Sequence, residues 1–423
     1  MSAPDLHARM AATIARRGLV EAGAPVVLMV SGGSDSTALA YLAADLSAQG
    51  VVGPATILHV NHRLRGAESD EDARFVARLA ALLGIPFAVR EVDVAGRAAE
   101  TGGNIEAVAR TLRYQAASEV LADVCDRVGT PCERGRILTA HTADDRVENF
   151  YMRSIVGTGP GGFRSMTYRT GAVVRPLLDV GRDELRAFLQ TRAAAGEPVV
   201  RDGEGALWRE DATNAHTDRL RAYVRHEIVP LAKARNPRLV EVLSRSMNLI
   251  ADEDDMLQDM ARELEERFVR RERGPAPAAG AALGAASTPA AGADVCAYVL
   301  LPGLGEAPLP LRRRVVVDAL RELLGPDARV ETASVDAVLA AWEALPSATA
   351  AREEPASAAE GQPAPSAAEA QPAPSAGADA NASGARIRGG YVANIQGDLA
   401  VSANKRGVRI EPMAAYRARR KRV

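Results

Sequence analysis

Pro25-Val26-Val27-Leu28-Met29-Val30-Ser31-Gly32-Gly33-Ser34-Asp35-Ser36-Thr37 is the stretch on which the fold turns. Its apolar run reads as a buried parallel strand that passes directly into a Gly-Gly turn, and Ala38-Leu39-Ala40-Tyr41-Leu42 beyond it reads as a helix. A strand, a tight turn and a helix N-terminus together make an anion site. Unpaired backbone N–H groups and the positive end of the helix dipole converge on the turn. Gly32 and Gly33 accept positive φ and leave room for a phosphate against the backbone. Ser31, Ser34, Ser36 and Thr37 add hydroxyls, and Asp35 can reach a phosphate-bound Mg²⁺. No Gly-Lys-Ser/Thr follows, which excludes a Walker A loop.

Strand and helix patterns alternate outward from this pivot. Leu6 to Arg17 reads as an amphipathic helix, Ala55–Val60 as a second strand, Asp70–Leu83 as a helix and Phe87–Val92 as a third strand. Ile105–Val124 is a long helix capped by Asn104, Arg136–His141 a fourth strand and Asp144–Val156 the next helix. This alternation predicts an α/β domain, a parallel sheet with helices on both faces. Ligands of such sheets sit beyond the carboxyl ends of the strands. That rule gathers Ser31–Ser36, the segment His59-Val60-Asn61-His62-Arg63-Leu64-Arg65 and the segment His141-Thr142-Ala143-Asp144-Asp145 around one cleft.

Each group also has a plainer reading. A His/Asn/Arg loop seen alone is a solvated surface, but at a nucleotide cleft His and Arg can stack on a base or contact phosphate, and Asn can read a base edge. Acids at a helix start, here Asp144, Asp145 and Glu148, favour the dipole; beside bound ATP they can also hold Mg²⁺ or take a proton from an attacking amine. Arg219, Arg221, Arg225 and His226 make either a solvated basic helix or a contact to an RNA backbone. Gly157–Gly162 matches G-x-G-x-x-G, but it leaves a helix and contains Pro160, so it reads as a loop and not a dinucleotide fingerprint.

The 423 residues suffice for two domains, and 47% apolar with 25% charged residues is globular composition. A net charge of −2 excludes a uniformly basic coat and leaves room for a local basic face. Cys125, Cys132 and Cys296 form no disulfide framework and no CxxC pair, which fits a reducing compartment. With no leader pattern and no apolar run near ~20 residues, the expectation is a cytoplasmic protein with no membrane partner. The expected division is a catalytic domain over 1–230 and a smaller, mainly helical domain over 231–345. Within the second, Glu241–Val269 reads as a long charged helix, and Leu309–Leu324 and Ser334–Leu345 as amphipathic ones. Ala/Pro/Gly-rich tracts at 274–293 and 346–385 cannot bury a core and are expected to be disordered. A hairpin (Tyr391–Ile395 with Leu399–Ser402) and a basic tail fill 386–423.

Ser31-Gly32-Gly33-Ser34-Asp35-Ser36 resembles the Ser-Gly-Gly-Xaa-Asp-Ser loop of the ATP pyrophosphatases, whose fold is adenine nucleotide α-hydrolase-like. Within them the chain is similar to the tRNA(Ile)-lysidine synthase family. The similarity is carried by His59–Arg65, by Asn104-Ile105-Glu106 with Arg110, Arg113 and Tyr114, by Ala140–Asn149, by Arg175-Pro176-Leu177-Leu178 and by Glu210-Asp211-Ala212-Thr213-Asn214. The chain departs from the family pattern at Arg146, Asn149 and Val156, where Gln, Thr and Arg are usual.

The resemblance implies a ligase using ATP with Mg²⁺ to join free L-lysine to C2 of the wobble cytidine of tRNA(Ile) with a CAU anticodon. The reaction passes through an adenylated tRNA. It implies that Ser31, Gly32, Gly33, Ser34, Asp35, Ser36, His59 and Asn61 bind the nucleotide, and that Asp35 and Asp145 hold the metal. Asp145 or Glu148 would bind or deprotonate the lysine, Arg110 or Arg113 would stabilise the adenylated base, and His62, Arg65, Arg221 and Arg225 would meet the tRNA. A homodimer is compatible with the sequence, which does not itself give the oligomeric state. Two rivals remain: a tRNA thiolase on the same fold, which would need paired active-site cysteines, and a non-catalytic ATP- or tRNA-binding module.

Overall fold

The computed structural model describes residues 5–63, 66–102, 104–210, 220–273, 295–325, 328–343, 385–387 and 390–421. Arg65, the run 211–219, the first low-complexity tract and the second up to residue 384 therefore lie outside the described residues. The chain divides into two compact units, Met1–Asp254 and Asp255–Val423.

The first unit opens with α1 (Leu6–Arg16), β1 (Val26–Met29), α2 (Ser34–Ala48), β2 (Ala55–Asn61), α3 (Ala67–Leu83), β3 (Phe87–Glu91), α4 (Val94–Thr101) and α5 (Ile105–Val128). It continues with β4 (Arg136–Leu138), α6 (Ala143–Val156), β5 (Arg169–Thr170), β6 (Val173–Val174), α7 (Arg182–Ala194), α8 (Leu220–Tyr223) and α9 (Val229–Arg235). A π-turn over Val224–Ile228 joins the last two. The sheet order is β3-β2-β1-β4-β6-β5, parallel throughout except for the β5–β6 pair.

Pleating explains the two faces. Val26 and Leu28 of β1 point into a core built with Leu6, Met10, Leu39, Phe75, Leu79 and Leu185, from α1, α2, α3 and α7. Val27, Leu58 and Ile137 point the other way, against Ala117, Val120, Leu121 and Val124 of α5. Strands covered on both faces lose their apolar/polar alternation, which is why β1 reads as a continuous apolar run. Each such side chain, fully buried, contributes roughly 1.5–3 kcal/mol.

α10 (Leu239–Phe268) contains the division between the units. Its first half supplies Leu239 and Met247 to a cluster with Val147, Val224 and Val229. Its second half supplies Ala261 to the core of the second unit. That unit holds β7 (Val269–Arg273), β8 (Val295–Leu300), α11 (Leu309–Leu324), α12 (Thr332–Glu343), β9 (Ala385–Ile387), β10 (Gly390–Ile395), β11 (Leu399–Asn404), β12 (Gly407–Pro412) and α13 (Met413–Arg420). The two amphipathic helices are present, and they pack on a six-stranded antiparallel sheet of order β7-β8-β12-β11-β10-β9. The hairpin read from the sequence is β10 with β11, Val392 opposite Ser402. β7 and β8 extend that sheet from either side of the first low-complexity tract. β7 is an edge strand carrying Arg270, Arg271, Glu272 and Arg273, a charged composition that guards an edge and hides a strand from periodicity.

Candidate active site

The sheet order fixes where a ligand can enter. The chain builds β2 and β3 on one side of β1 and then returns to place β4 on the other, so β1 and β4 flank the topological switch point. The loop leaving β1 begins at Val30, and the loop leaving β4 begins at Thr139. Asp35 and Asp145 are thereby carried to adjacent positions although 110 positions separate them in the chain.

The first loop is held by its own hydroxyls. The Ser31 N–H bonds Ser36 Oγ at 3.2 Å, and Ser36 Oγ donates to the Gly33 carbonyl at 3.1 Å. Thr37 Oγ1 donates to the Gly32 carbonyl at 3.1 Å. Gly32 has φ +96°, a left-handed conformation that a side chain would strain, and a Cβ there would stand 3.4 Å from Arg209 Cγ. Gly33 is the N-cap of α2 and supplies no side-chain cap, so the helix end stays available to an anion. The Arg209 N–H bonds the Gly32 carbonyl at 2.9 Å, and its guanidinium bonds Asp72 at 2.9 Å, which seats the Leu207–Glu210 segment over the loop.

At the end of β2, His59 and Asn61 are both buried. His59 Nδ1 bonds the Val30 carbonyl at 2.9 Å, tying β2 to the root of the phosphate loop. The Asn61 amide accepts from the Arg63 N–H at 2.9 Å and donates to Asp70 at 3.3 Å, which shapes the turn. His62 follows in that turn, partly exposed.

The second loop shows how one acid serves two purposes. Thr142 and Asp145 form a capping box at the start of α6. Asp145 Oδ2 accepts from the Thr142 N–H at 2.9 Å and from its hydroxyl at 3.2 Å. That leaves Oδ1 aimed into the cleft, where it meets Arg221 Nη2 at 2.8 Å and Arg182 Nη2 at 3.1 Å. Glu148, one turn on, is buried and takes Arg225 Nε at 2.7 Å, Arg221 Nε at 3.0 Å and Arg182 Nη1 at 3.4 Å. Arg182 Nε also bonds Asp35 Oδ2 at 3.1 Å. The cluster is three carboxylates, Asp35, Asp145 and Glu148, matched by three guanidiniums, Arg182, Arg221 and Arg225. Asp144 stands apart from it. It accepts from the Arg182 N–H at 2.8 Å and from Lys233 Nζ at 2.9 Å, joining α7 and α9 to α6.

The electrostatics follow from burial set against these partners. Burial raises the Asp35 carboxyl, with Asp145 adding to the rise and Arg182 opposing it. Burial also acts upward on Asp145, but Arg182, Arg221 and the Thr142 N–H outweigh it and hold the group below its ordinary value. His141, beside them, is pushed down to about 4, by burial first and by Arg175, Arg113 and Arg221 as well, against a pull from Asp145.

A depressed histidine makes stability depend on pH. Between about 4 and 6.5 the unfolded chain binds the proton that folded His141 refuses. The stability it contributes is complete above 6.5 and is lost as pH falls towards 4. Urea unfolding midpoints are expected to drop between pH 7 and pH 5 in the natural protein, and to drop less in His141→Asn. Equal drops in the two proteins would refute this.

The structure thus brings Asp35, Asp145, Glu148, Arg221 and Arg225 together. Arg110 and Arg113 lie along α5 and stack on Tyr114 at 5.0 and 5.3 Å, with Arg113 close enough to bear on His141. Two of the three departures find partners within the first unit, and the third, Val156, is exposed. Buried Arg146 bonds Asn248 at 2.9 Å and sits over the Tyr168 ring, and Asn149 bonds Ser165 at 3.2 Å. Arg182, which bridges all three acids, went unread in the sequence. Its signal is a cation at the first position of a helix, where the dipole disfavours positive charge and a carboxylate partner is needed. The donor set fits magnesium arriving with phosphate. Asp35 and Asp145 both reach one cation, Arg182, and Mg²⁺ typically takes one or two carboxylates with substrate phosphate oxygens.

The tRNA(Ile)-lysidine synthase of Thermus thermophilus is 36% identical over 332 residues, covering 78% of this chain and 55% of that protein. The tRNA(Ile)-lysidine synthase of Geobacter sulfurreducens is 32% identical over 327 residues, covering 77% and 60%. The chain therefore spans little more than half the length of these curated relatives. Among solved structures, the U34-tRNA thiolase NcsA from Methanococcus maripaludis with its [4Fe-4S] cluster matches 58% of this chain and 78% of its own, at 15% identity and a TM-score of 0.43. The model of the PP-loop domain family matches residues 6–232, more than half of the chain and a span holding every acid and arginine of the cluster. The chain belongs to the PP-loop family.

Proposed function

We propose that the chain is an ATP-dependent ligase that joins lysine to C2 of the wobble cytidine of tRNA(Ile) with a CAU anticodon, changing codon reading from AUG to AUA. The observation that carries this reading is a phosphate-binding loop facing a buried acid pair, Asp145 and Glu148, across one switch-point crevice. The names of the curated relatives support it.

The N-terminus of α2 and the Ser31–Ser36 loop receive the phosphates of ATP through backbone N–H groups, while the loop's hydroxyls hold its shape. Magnesium, when bound, offsets phosphate charge; Asp35 and Asp145 would hold it. The O2 atom of the cytidine attacks the α-phosphate and pyrophosphate leaves, giving a base adenylated at O2. Arg110 or Arg113 of α5 would pair with the phosphate carried by the adenylated base, and an anticodon loop presents that base unstacked at low cost. The lysine ε-amine then attacks C2, the C2–O bond breaks, AMP leaves, and Asp145 or Glu148 takes the amine proton. The cytoplasm is the compartment this chemistry fits.

The thiolase rival needs sulfur at the crevice. Cys125 lies at the end of α5 and Cys132 in the turn before β4, both at the amino ends of the strands and away from it.

The test is incorporation of radiolabelled lysine into tRNA(Ile) with a CAU anticodon, with and without ATP, beside the same tRNA carrying uridine at the wobble position. Incorporation is expected only with both ATP and cytidine. ATP cleaved to AMP and pyrophosphate without incorporation would leave an adenylating enzyme with another nucleophile.

A further inference from the structure

Asp145 Oδ1 and both oxygens of Glu148 already have a guanidinium on them. Arg221 spans both acids, Nη2 on Asp145 at 2.8 Å and Nε on Glu148 at 3.0 Å. Arg225 grips Glu148 through Nε at 2.7 Å and Nη2 at 2.9 Å. A primary ammonium cannot reach this pair while both guanidiniums remain.

The three arginines are not equally held. Arg182 is the first residue of a 13-residue helix, its N–H is fixed by Asp144, and its side chain is 19% exposed. The Arg225 and Arg221 side chains are 24% and 40% exposed. Both ride on a short segment, Leu220–Arg235, in which the Val224–Ile228 π-turn and Pro230 interrupt the regular helical ladder. Val224 and Val229 anchor that segment in a core, while Tyr223 and Leu231 are exposed. A local change ahead of those anchors swings the Arg221 guanidinium, while Arg182 stays fixed at the start of α7.

We propose that Arg221 and Arg225 hold the place of the substrate ammonium on Asp145 and Glu148, so that the amine enters by displacing them and they set its affinity. This rests on the reading of the chain as a lysine-transferring enzyme. Occupied by guanidinium, the acids stay charged and geometrically set before substrate arrives. Released, the same two arginines become free cations at the crevice mouth, where phosphate groups of ATP or tRNA approach.

A site that must first shed a competitor binds with an apparent affinity reduced by the fraction of time it is open. Titration calorimetry with L-lysine on the full chain, without ATP or tRNA, is expected to show binding about tenfold tighter in Arg221→Gln and Arg225→Gln if the site is open about a tenth of the time. Arg225→Lys, which keeps a cation in place, should stay near the natural affinity. In lysine transfer to tRNA, Arg221→Gln should lower KM for lysine while lowering kcat, a split that a merely structural residue would not give. Amide hydrogen exchange over residues 220–228 should quicken when lysine is added to the natural protein.

Unchanged or weaker lysine binding in both Gln variants overturns the proposal, as does exchange over 220–228 that lysine leaves unaltered. Failure of the underlying reading looks different: the natural protein itself then incorporates no lysine into tRNA.

Discussion

Asp145→Asn is expected to lower lysine transfer by on the order of 10³-fold, the range for removing a group that handles a proton at the reacting atom. The geometry makes the substitution more than a loss of charge. Oδ2 of Asp145 must accept from the Thr142 N–H at 2.9 Å, so the asparagine carbonyl takes that place. Its NH₂ then faces Arg182 and Arg221, donor against donor, where Oδ1 had accepted at 3.1 and 2.8 Å. The helix cap survives while the cleft side of the residue is lost, and unfolding stability falls by only about 1.5–3 kcal/mol, the value of charge-assisted hydrogen bonds. Transfer assayed at saturating lysine, beside a urea unfolding curve, separates the two effects. Activity within tenfold of the natural protein would sink the assignment of Asp145.

Arg182→Met is expected to lower activity at neutral pH by about 10²–10³-fold, and to return part of it as pH rises. This guanidinium is bonded to Asp35, Asp145 and Glu148 at 3.1, 3.1 and 3.4 Å. Burial already raises Asp35, and Arg182 is the main influence opposing that rise; it is also the chief partner holding Asp145 down. Without it both carboxyls move up, because like charges gathered in a desolvated site resist ionising together. A carboxyl with a raised pKa is ionised only at higher pH, so the acid limb of the rate profile must move upward. The measurement is kcat/KM for lysine transfer from pH 5.5 to 9, where the natural protein and the variant should differ most at the acid end. A fall in rate with an unmoved acid limb would make Arg182 a packing residue only.

Much of this site is written locally. A strand that must be buried on both faces needs an unbroken apolar run, a phosphate loop needs glycine where φ is positive, and a helix start needs a cap; each of these lies within a few residues. The loop at Ser31–Ser36, the strand ends at His59 and His141 and the acids of α6 could therefore be read directly. The roles of His59 and Asn61 could not. Whether an imidazole faces a ligand or the Val30 carbonyl depends on the neighbouring strand, and the pairing of β2 with β1 decides it. Arg182 was invisible for the same reason, since its partners come from residues 35, 145 and 148. The sheet of the second unit was legible only as one hairpin, because β8 pairs with β12 across more than a hundred residues.

By itself the sequence determined the class of fold, the Gly-Gly loop at the start of α2 and the acids at the start of α6, because hydrophobic period, glycine and capping chemistry act over short stretches of chain. Only the tertiary structure decided which cation stands on which acid. Charge pairing in a cleft depends on distances between separate elements, and a chain of alternating strands and helices sets those distances only when the sheet order is complete.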